Sequence, residues 1–406
     1  MNISELLNKR SRENLMASTI QEMMALSYKE GVISFTAGEP SPDQYPVEEL
    51  SSAAQTVLRE EGSKLLGYKG PQGTQEFKAF IHKWMRERNY IPQNMGEENI
   101  IPTNGSQEGL NLISEVFIED GATILTELPT YPEAMLIFHK DRANIVGVTT
   151  DERGMLPEAV EEYIKSHPHE RVKLLYTIPN FQNPTGITMT EDRKKKLIEI
   201  AEKYNLIIIE DDPYGELRYE GEHIPSMLYY NHGNRVIYLS TFSKLIAPGL
   251  RIGWMVIPSS ILKTFLLLKG AMEIGLPSFI QQMVVKMAEN GYFEGKFKEI
   301  LQKYRKRRDT MEESLQKHIK NLNVEWKKPA GGFFFWLDTK DIQDTYSFCF
   351  DTVKQFKVGL VPGVAFFPPN KQEKHHIRLS FSKVKEEEIE EGIKRFRDAL
   401  NYYNKG

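Results

Sequence analysis

Between about Glu48 and Pro258, short apolar runs alternate with longer segments of helical spacing, and no other feature restricts the fold as strongly. "ENIIPTNG" precedes the helix-like "SQEGLNLISEVF", and "ATILTE" precedes "YPEAMLIFHKD". "RVKLLYTIP" precedes a loop and then "TEDRKKKLIEIAEKYN". "LIIIEDD", "RVIYLS" and "IGWMVI" are three further candidates for buried strands. Apolar on both faces and separated by helices, such runs predict an α/β domain with a mainly parallel sheet. In open sheets of that kind, ligands bind beyond the carboxyl ends of the strands. After about Gly291 the pattern changes to a long charged helix, the apolar runs "GGFFFWLD", "GLVPGVAFFP" and "HHIRLSFS", and a final helix "KEEEIEEGIKRFRDALNYYN". That pattern predicts a second, smaller α+β unit. At 406 residues the chain exceeds one ordinary core, which agrees.

The residues at the strand ends carry the chemistry. In "TNGSQEGL", Gly105, Ser106 and Gln107 stand where a strand becomes a helix. Open N–H groups, a hydroxyl and an amide suit a phosphate there, although a capping serine has the same letters. Asn183-Pro184-Thr185-Gly186 reads as a turn when taken alone. "LIIIEDDPYGEL" ends a strand in three acids, any of which could bind a cationic ring nitrogen, cap a helix or face water. In "STFSKLIAPGLRIGW", Lys244 follows the hydroxyls of Thr241 and Ser243, and Arg251 comes seven residues later. A desolvated lysine has a lowered pKa and a nucleophilic amine, and an arginine fork matches phosphate. A Ser-x-x-Lys acyl-transfer site is excluded because Thr241 holds the serine position. The chain has no Walker A loop and no G-x-G-x-x-G fingerprint.

Taken together and in order, "NGSQEGL", "PNFQNPTG", "EDDPY", "STFSK", "PGLRIG" and "HIRLSFS" resemble the fold-type I aminotransferases that use pyridoxal 5'-phosphate. The likeness runs from about Val32 to Ser382. "PNFQNPTG" and "LGYKGPQG" look most like the subgroup of kynurenine/2-aminoadipate aminotransferases and the catalytic half of MocR-type regulators. The resemblance implies a large domain with a mainly parallel seven-stranded sheet flanked by helices, and a smaller α+β domain. Its boundaries would be 1–45 for an N-terminal lid and arm joining the small domain, 46–290 for the cofactor-binding domain and 291–406 for the small domain.

The resemblance also implies roles. Lys244 would hold the cofactor covalently and later shuttle the proton. Asp211, chosen from the acidic cluster by the family's Asp-x-x-Tyr pattern, would pair with the pyridine nitrogen. Tyr214 and Asn183 would contact the ring's 3'-oxygen, and Tyr131 would stack on the ring. Ser106, Gln107, Thr241, Ser243 and Arg251 would hold the phosphate; Thr241 stands where the family usually has serine and keeps the hydroxyl. Tyr68 would reach the phosphate of a neighbouring subunit, which implies a homodimer. Arg378 would clamp the substrate α-carboxylate, with Gly38 and Asn183 nearby. The implied activity moves the amino group of an L-amino acid (aromatic, aliphatic or 2-aminoadipate-like) to a 2-oxo acid such as 2-oxoglutarate by a ping-pong route. A lyase or decarboxylase on the same fold, or a MocR-like amino-acid sensor, are the alternatives. About 30 residues before the fold are too few for the sensor's DNA-binding domain.

The resemblance further implies that the segment Asn14–Tyr28 forms a lid; Met16, Met23 and Met24 would either face a hydrophobic side chain or pack into the core, and Gln21 stands where an acidic side chain would want a cation. His139, His375 and His376 show no convincing metal spacing and are expected to be surface residues; no metal is expected. A net charge of -4 argues against a broad nucleic-acid surface. A single cysteine, no signal-peptide core and no membrane-length apolar run predict a cytoplasmic protein without membrane partners.

Overall fold

The computed structural model describes residues 3–13, 15–231, 234–368 and 371–404. In chain order the strands are β1 (Ile33–Ser34), β2 (Ile100–Thr103), β3 (Thr123–Leu128), β4 (Asn144–Asp151), β5 (Gly154–Met155), β6 (Val172–Thr177) and β7 (Ile207–Asp211). They continue with β8 (Val236–Thr241), β9 (Gly253–Val256), β10 (Val324–Trp326), β11 (Phe334–Thr339), β12 (Val358–Gly359), β13 (Val361–Pro362) and β14 (His376–Ser380).

The large sheet has the order β2-β9-β8-β7-β6-β3-β4-β5. β4, β3, β6, β7 and β8 are parallel neighbours, and β9 runs antiparallel between β8 and β2. The sheet therefore has eight strands where seven were expected. The additional strand is the two-residue β5, which folds back on the end of β4 through Asp151↔Gly154. Residues 123–128, 174–177, 208–211, 236–241 and 253–256 are buried throughout, as runs apolar on both faces require. Each such Leu, Ile or Val contributes ~1.5–3 kcal/mol by leaving water.

The second sheet, β10-β11-β14-β13, is antiparallel. The long helix Lys296–His318 and the final helix Glu386–Tyr403 pack beside it and against each other. β1 pairs in parallel with β12, so the stretch after the first helices is sewn to the C-terminal part of the chain. The following residues, 35–39, then pass into the gap between the two sheets: the Phe35 carbonyl accepts from Ser380 of β14, and the Gly38 carbonyl from Lys244 beyond β8.

Near the N-terminus the helix is shorter than its apolar spacing suggested, covering only Thr19–Ser27. Ser18 caps it by accepting from the Gln21 N–H at 3.2 Å, which leaves Leu15 and Met16 outside, 63% and 56% exposed. Asn14 lies outside the described residues.

Candidate active site

A cavity of about 540 Å³ opens at the carboxyl ends of β7 and β8, between the two sheets and beneath the helix Thr19–Ser27. Ser106, Gln107, Tyr131, Asn183, Asp211, Tyr214, Thr241, Ser243, Lys244, Arg251, Arg378 and Gly38 all line it. Tyr68 does not; it is 91% exposed on the loop after the helix Val47–Leu65.

The strand pleat sorts the three acids. Side chains alternate across a strand, so Glu210 and Asp212 leave one face of the β7 run and Asp211 the other. Glu210 accepts the N–H groups of Met227 and Leu228 at 2.7 and 2.9 Å, fastening the start of the short helix Met227–Tyr230. Asp212 accepts the Tyr238 hydroxyl at 3.0 Å. Only Asp211 faces the cavity. Its Oδ2 accepts the Tyr176 hydroxyl at 2.9 Å, while its buried Oδ1 has no partner. Burial raises its pKa to about 7, with the Asp212 charge adding to that rise.

Lys244 enters from the turn after β8, and its Nζ donates to the Gly38 carbonyl at 2.8 Å. Desolvation lowers its pKa to about 8; Arg251 and Arg378 push the same way, while Glu39 and Asp211 oppose. Across the cavity, Arg378 on β14 is 1% exposed. It donates to Asn183 Oδ1 at 3.0 Å and to the Thr36 carbonyl at 2.7 Å, and its guanidinium lies 4.4 Å from the Phe334 ring centre. Among the described residues no carboxylate pairs with it and its Nε is unpartnered, and desolvation lowers its pKa to about 10. A buried, uncompensated guanidinium of this kind favours an incoming carboxylate.

At the other end of the cavity, the helix Ser106–Phe117 starts without a side-chain cap. Gly105, not Ser106, is its cap residue, at φ 73°, so Ser106 is the first residue inside the helix and its hydroxyl is not spent on capping. A side chain at 105 would be strained at that φ and would meet the Arg251 guanidinium at 2.6 Å. Arg251 itself, at φ 50°, folds back to donate to the Asn104 carbonyl at 2.9 Å. Thr241 Oγ1 donates to Ser243 Oγ at 2.9 Å. Hydroxyls, open N–H groups and a guanidinium thus converge on one corner, a donor set suited to a phosphate.

Several participants had no sequence signal. Buried Glu127 accepts from Thr177 Oγ1 (2.7 Å), the Ile178 N–H (3.0 Å) and Gln182 Nε2 (3.2 Å). Gln182 in turn accepts from Thr185, so this network holds the loop that carries Asn183. The helix Thr19–Ser27 does cover the cavity, through Ile20, Gln21 and Met24. Met23 turns into the core, and Met16 lines a separate cavity of about 470 Å³. Glu39 and Glu133 also reach the site; Glu39 is ion-paired with Lys383, and Glu133 accepts from Ser18 at 2.5 Å.

The model of the family described as aminotransferase class I and II matches residues 30–396. The chain belongs to that family. Among its relatives, this aminotransferase is 38% identical over 388 residues to aromatic-amino-acid aminotransferase 1 of Thermococcus litoralis, covering 95% of this chain and 92% of the relative. It is 32% identical over 389 residues to 2-aminoadipate transaminase of Thermus thermophilus, covering 95% and 94%. The solved structure of Pyrococcus horikoshii kynurenine aminotransferase in complex with PMP superposes with a TM-score of 0.93 at 35% identity, covering 99% of this chain and 98% of that one. The enzyme is a transaminase, and its cofactor is pyridoxal phosphate. Among the described residues, no helix is long and apolar enough to cross a membrane.

Proposed function

We propose that this aminotransferase takes the amino group from an aromatic, aliphatic or 2-aminoadipate-like L-amino acid and delivers it to a 2-oxo acid, 2-oxoglutarate among them, in a ping-pong cycle. The observation that carries the reading is one cavity that holds a lysine amine of pKa about 8, an unpaired buried carboxylate and an unpaired buried guanidinium.

The residues fit the cofactor. Asp211 Oδ1 is a partnerless acceptor suited to a protonated ring nitrogen, and that pairing would relieve the burial that raises its pKa. Gly105 leaves room for the phosphate among Ser106, Gln107, Thr241, Ser243 and Arg251. Tyr131 would stack on the ring, and Tyr214 and Asn183 would reach its 3'-oxygen. When bound, the cofactor supplies the electron sink that stabilises negative charge at the substrate Cα. Arg378 grips the α-carboxylate and fixes which bond at Cα faces the sink. Lys244 would hold the cofactor before the substrate arrives, then take the Cα proton and deliver it two atoms along, to the cofactor carbon on the far side of the amino nitrogen. With a pKa of about 8 the amine is present in part as free base near neutral pH, as a general base requires.

For the side chain, Ile20, Met24 and the uncharged Gln21 favour apolar donors, and the nearby Glu39 and Glu133 weigh against acidic ones. Tyr68 is proposed to complete the phosphate site of a second subunit. The loop carrying it lies against residues 270–275, where a side chain on Gly275 would fall 2.3 Å from the Lys69 carbonyl oxygen. Leu66, Tyr68, Met272 and Ile274 are all exposed there, an apolar face that a homodimer would cover. The division at 45/46 and 290/291 and a cytoplasmic location belong to the same proposal; the separation of the two sheets in sequence supports the former.

The test is an absorbance titration of the cofactor-loaded enzyme with single L-amino acids. An aromatic donor should convert the visible cofactor band, and 2-oxoglutarate should restore it. A band unmoved by any donor, or full turnover in Lys244→Ala, contradicts the proposal.

A further inference from the structure

Away from the cavity, the edge of the small sheet gathers a second set of donors. Asp338 near the end of β11 and His376 at the start of β14 are direct cross-strand partners, so their side chains share one face. His375 precedes the strand, and its carbonyl is held by the Thr339 N–H at 2.8 Å and the Thr339 hydroxyl at 2.5 Å. One donor atom each from Asp338, His375 and His376 lies within 4.8 Å of the others. A Glu373 carboxylate oxygen stands 3.9 Å from His375 Nε2 and 3.6 Å from His376 Nδ1.

Two features separate this cluster from ordinary surface ion pairs. Asp338 Oδ1 and His376 Nδ1 are both buried, and neither has a hydrogen-bond partner. The nearest complementary atoms, His375 Nε2 at 3.7 Å and Glu373 Oε2 at 3.6 Å, stand just beyond hydrogen-bond reach. A shared ion would draw these groups slightly inward: arms of about 2.0–2.1 Å place tetrahedral donors roughly 3.3–3.5 Å apart, a few tenths of an ångström closer than the 3.6, 3.7 and 3.9 Å seen here. The His376 ring is held in place by stacking on Trp336 at 4.9 Å and 10°. His375 is 39% exposed, which leaves the ion a way in.

We propose that Asp338, His375, His376 and Glu373 bind a divalent transition ion of the zinc type, one per chain. Two imidazoles and two carboxylates select such an ion over magnesium or calcium, which prefer all-oxygen sites. The bound ion ties residues 373–376 to β11, two positions along β14 from Arg378 and outside the catalytic cavity.

The experiment is equilibrium dialysis of the resting holoenzyme against zinc chloride, with no amino acid present because amino acids chelate the metal. Saturable binding of one zinc per chain is expected, at least about tenfold weaker in His375→Ala and in Glu373→Gln. Both replaced side chains are solvent-accessible, so the variants should fold. Zinc should raise the melting temperature of the wild type and not that of His375→Ala. No saturable binding, or binding unchanged in both variants, overturns the proposal; the latter outcome means zinc held adventitiously elsewhere on the surface.

Discussion

Asp211→Asn should stabilise the cofactor-free enzyme while crippling the loaded one. The Asp211 side chain is 2% exposed, and burial lifts its pKa from an ordinary 3.8 to about 7. The folded chain therefore keeps a proton between pH 4 and 7 that the unfolded chain has released, so folding stability falls as pH rises through that window and is lowest above it. Integrating the two titration curves gives a wild-type loss of ~3 kcal/mol between pH 5 and pH 8 that the asparagine variant does not share. Glu210, also raised to about 7 by burial, titrates in both proteins and cancels in the difference, whereas Glu127, raised to about 7 chiefly by burial, loses in the variant the small added push from the Asp211 charge. The assay is urea unfolding of both apo-proteins at several pH values. The stability gap in favour of Asp211→Asn should widen by ~3 kcal/mol from pH 5 to pH 8 and then level off. With cofactor present the advantage should reverse, because Asp211 gains a cationic partner, and kcat should fall by roughly 10²–10³ in the variant. A gap that stays constant with pH would refute the reasoning.

Further outcomes follow from the same geometry. Arg378→Lys keeps the charge but loses the two-pronged grip, so kcat/KM for the amino acid should drop roughly 10–100-fold in steady-state assays with the cofactor spectrum unchanged. Gly105→Ala, at φ 73° and crowding Arg251, should weaken cofactor binding by roughly tenfold in a fluorescence titration, from about 1–2 kcal/mol of strain. Tyr68→Phe should raise the cofactor dissociation constant by roughly fivefold, one hydrogen bond's worth, and mixing it with Lys244→Ala should yield hybrid dimers with one fully native site. Ultracentrifugation that finds a monomer would defeat that prediction.

Where the fold could be read from the letters, burial was continuous. Strands β3, β6, β7, β8 and β9 are buried along most or all of their length, and apolar runs betray that whatever the tertiary context. β4 is mostly half-buried, with only Ile145 and Val148 fully inside, and β5 is two residues long, so the eighth strand left no run to find. β1 and β12 are likewise two residues each and exist only because distant segments meet. The ordered motifs brought Lys244, Asp211, Asn183 and Arg378 to one cavity. Glu127 and the Thr36 carbonyl were invisible: the first is one acid among many, and the second is backbone. The methionines of the covering helix could not be sorted from spacing alone, because the helix is shorter than its pattern and one turn decides which of two adjacent methionines meets the core.

That covering helix has a consequence for how such an enzyme changes. The groups proposed to perform the chemistry sit at the ends of β7 and β8 and on β14, inside packed sheets where almost any replacement is felt. The groups proposed to meet the side chain of the substrate, Ile20, Gln21 and Met24, ride on nine residues near the N-terminus, with only Met23, Ile20 and Ser27 sunk into the protein. Selection and reaction are therefore separable pieces of chain. On that proposal, redesign of positions 21 and 24 would retune the choice of amino acid and leave the machinery at the Cα–H bond untouched.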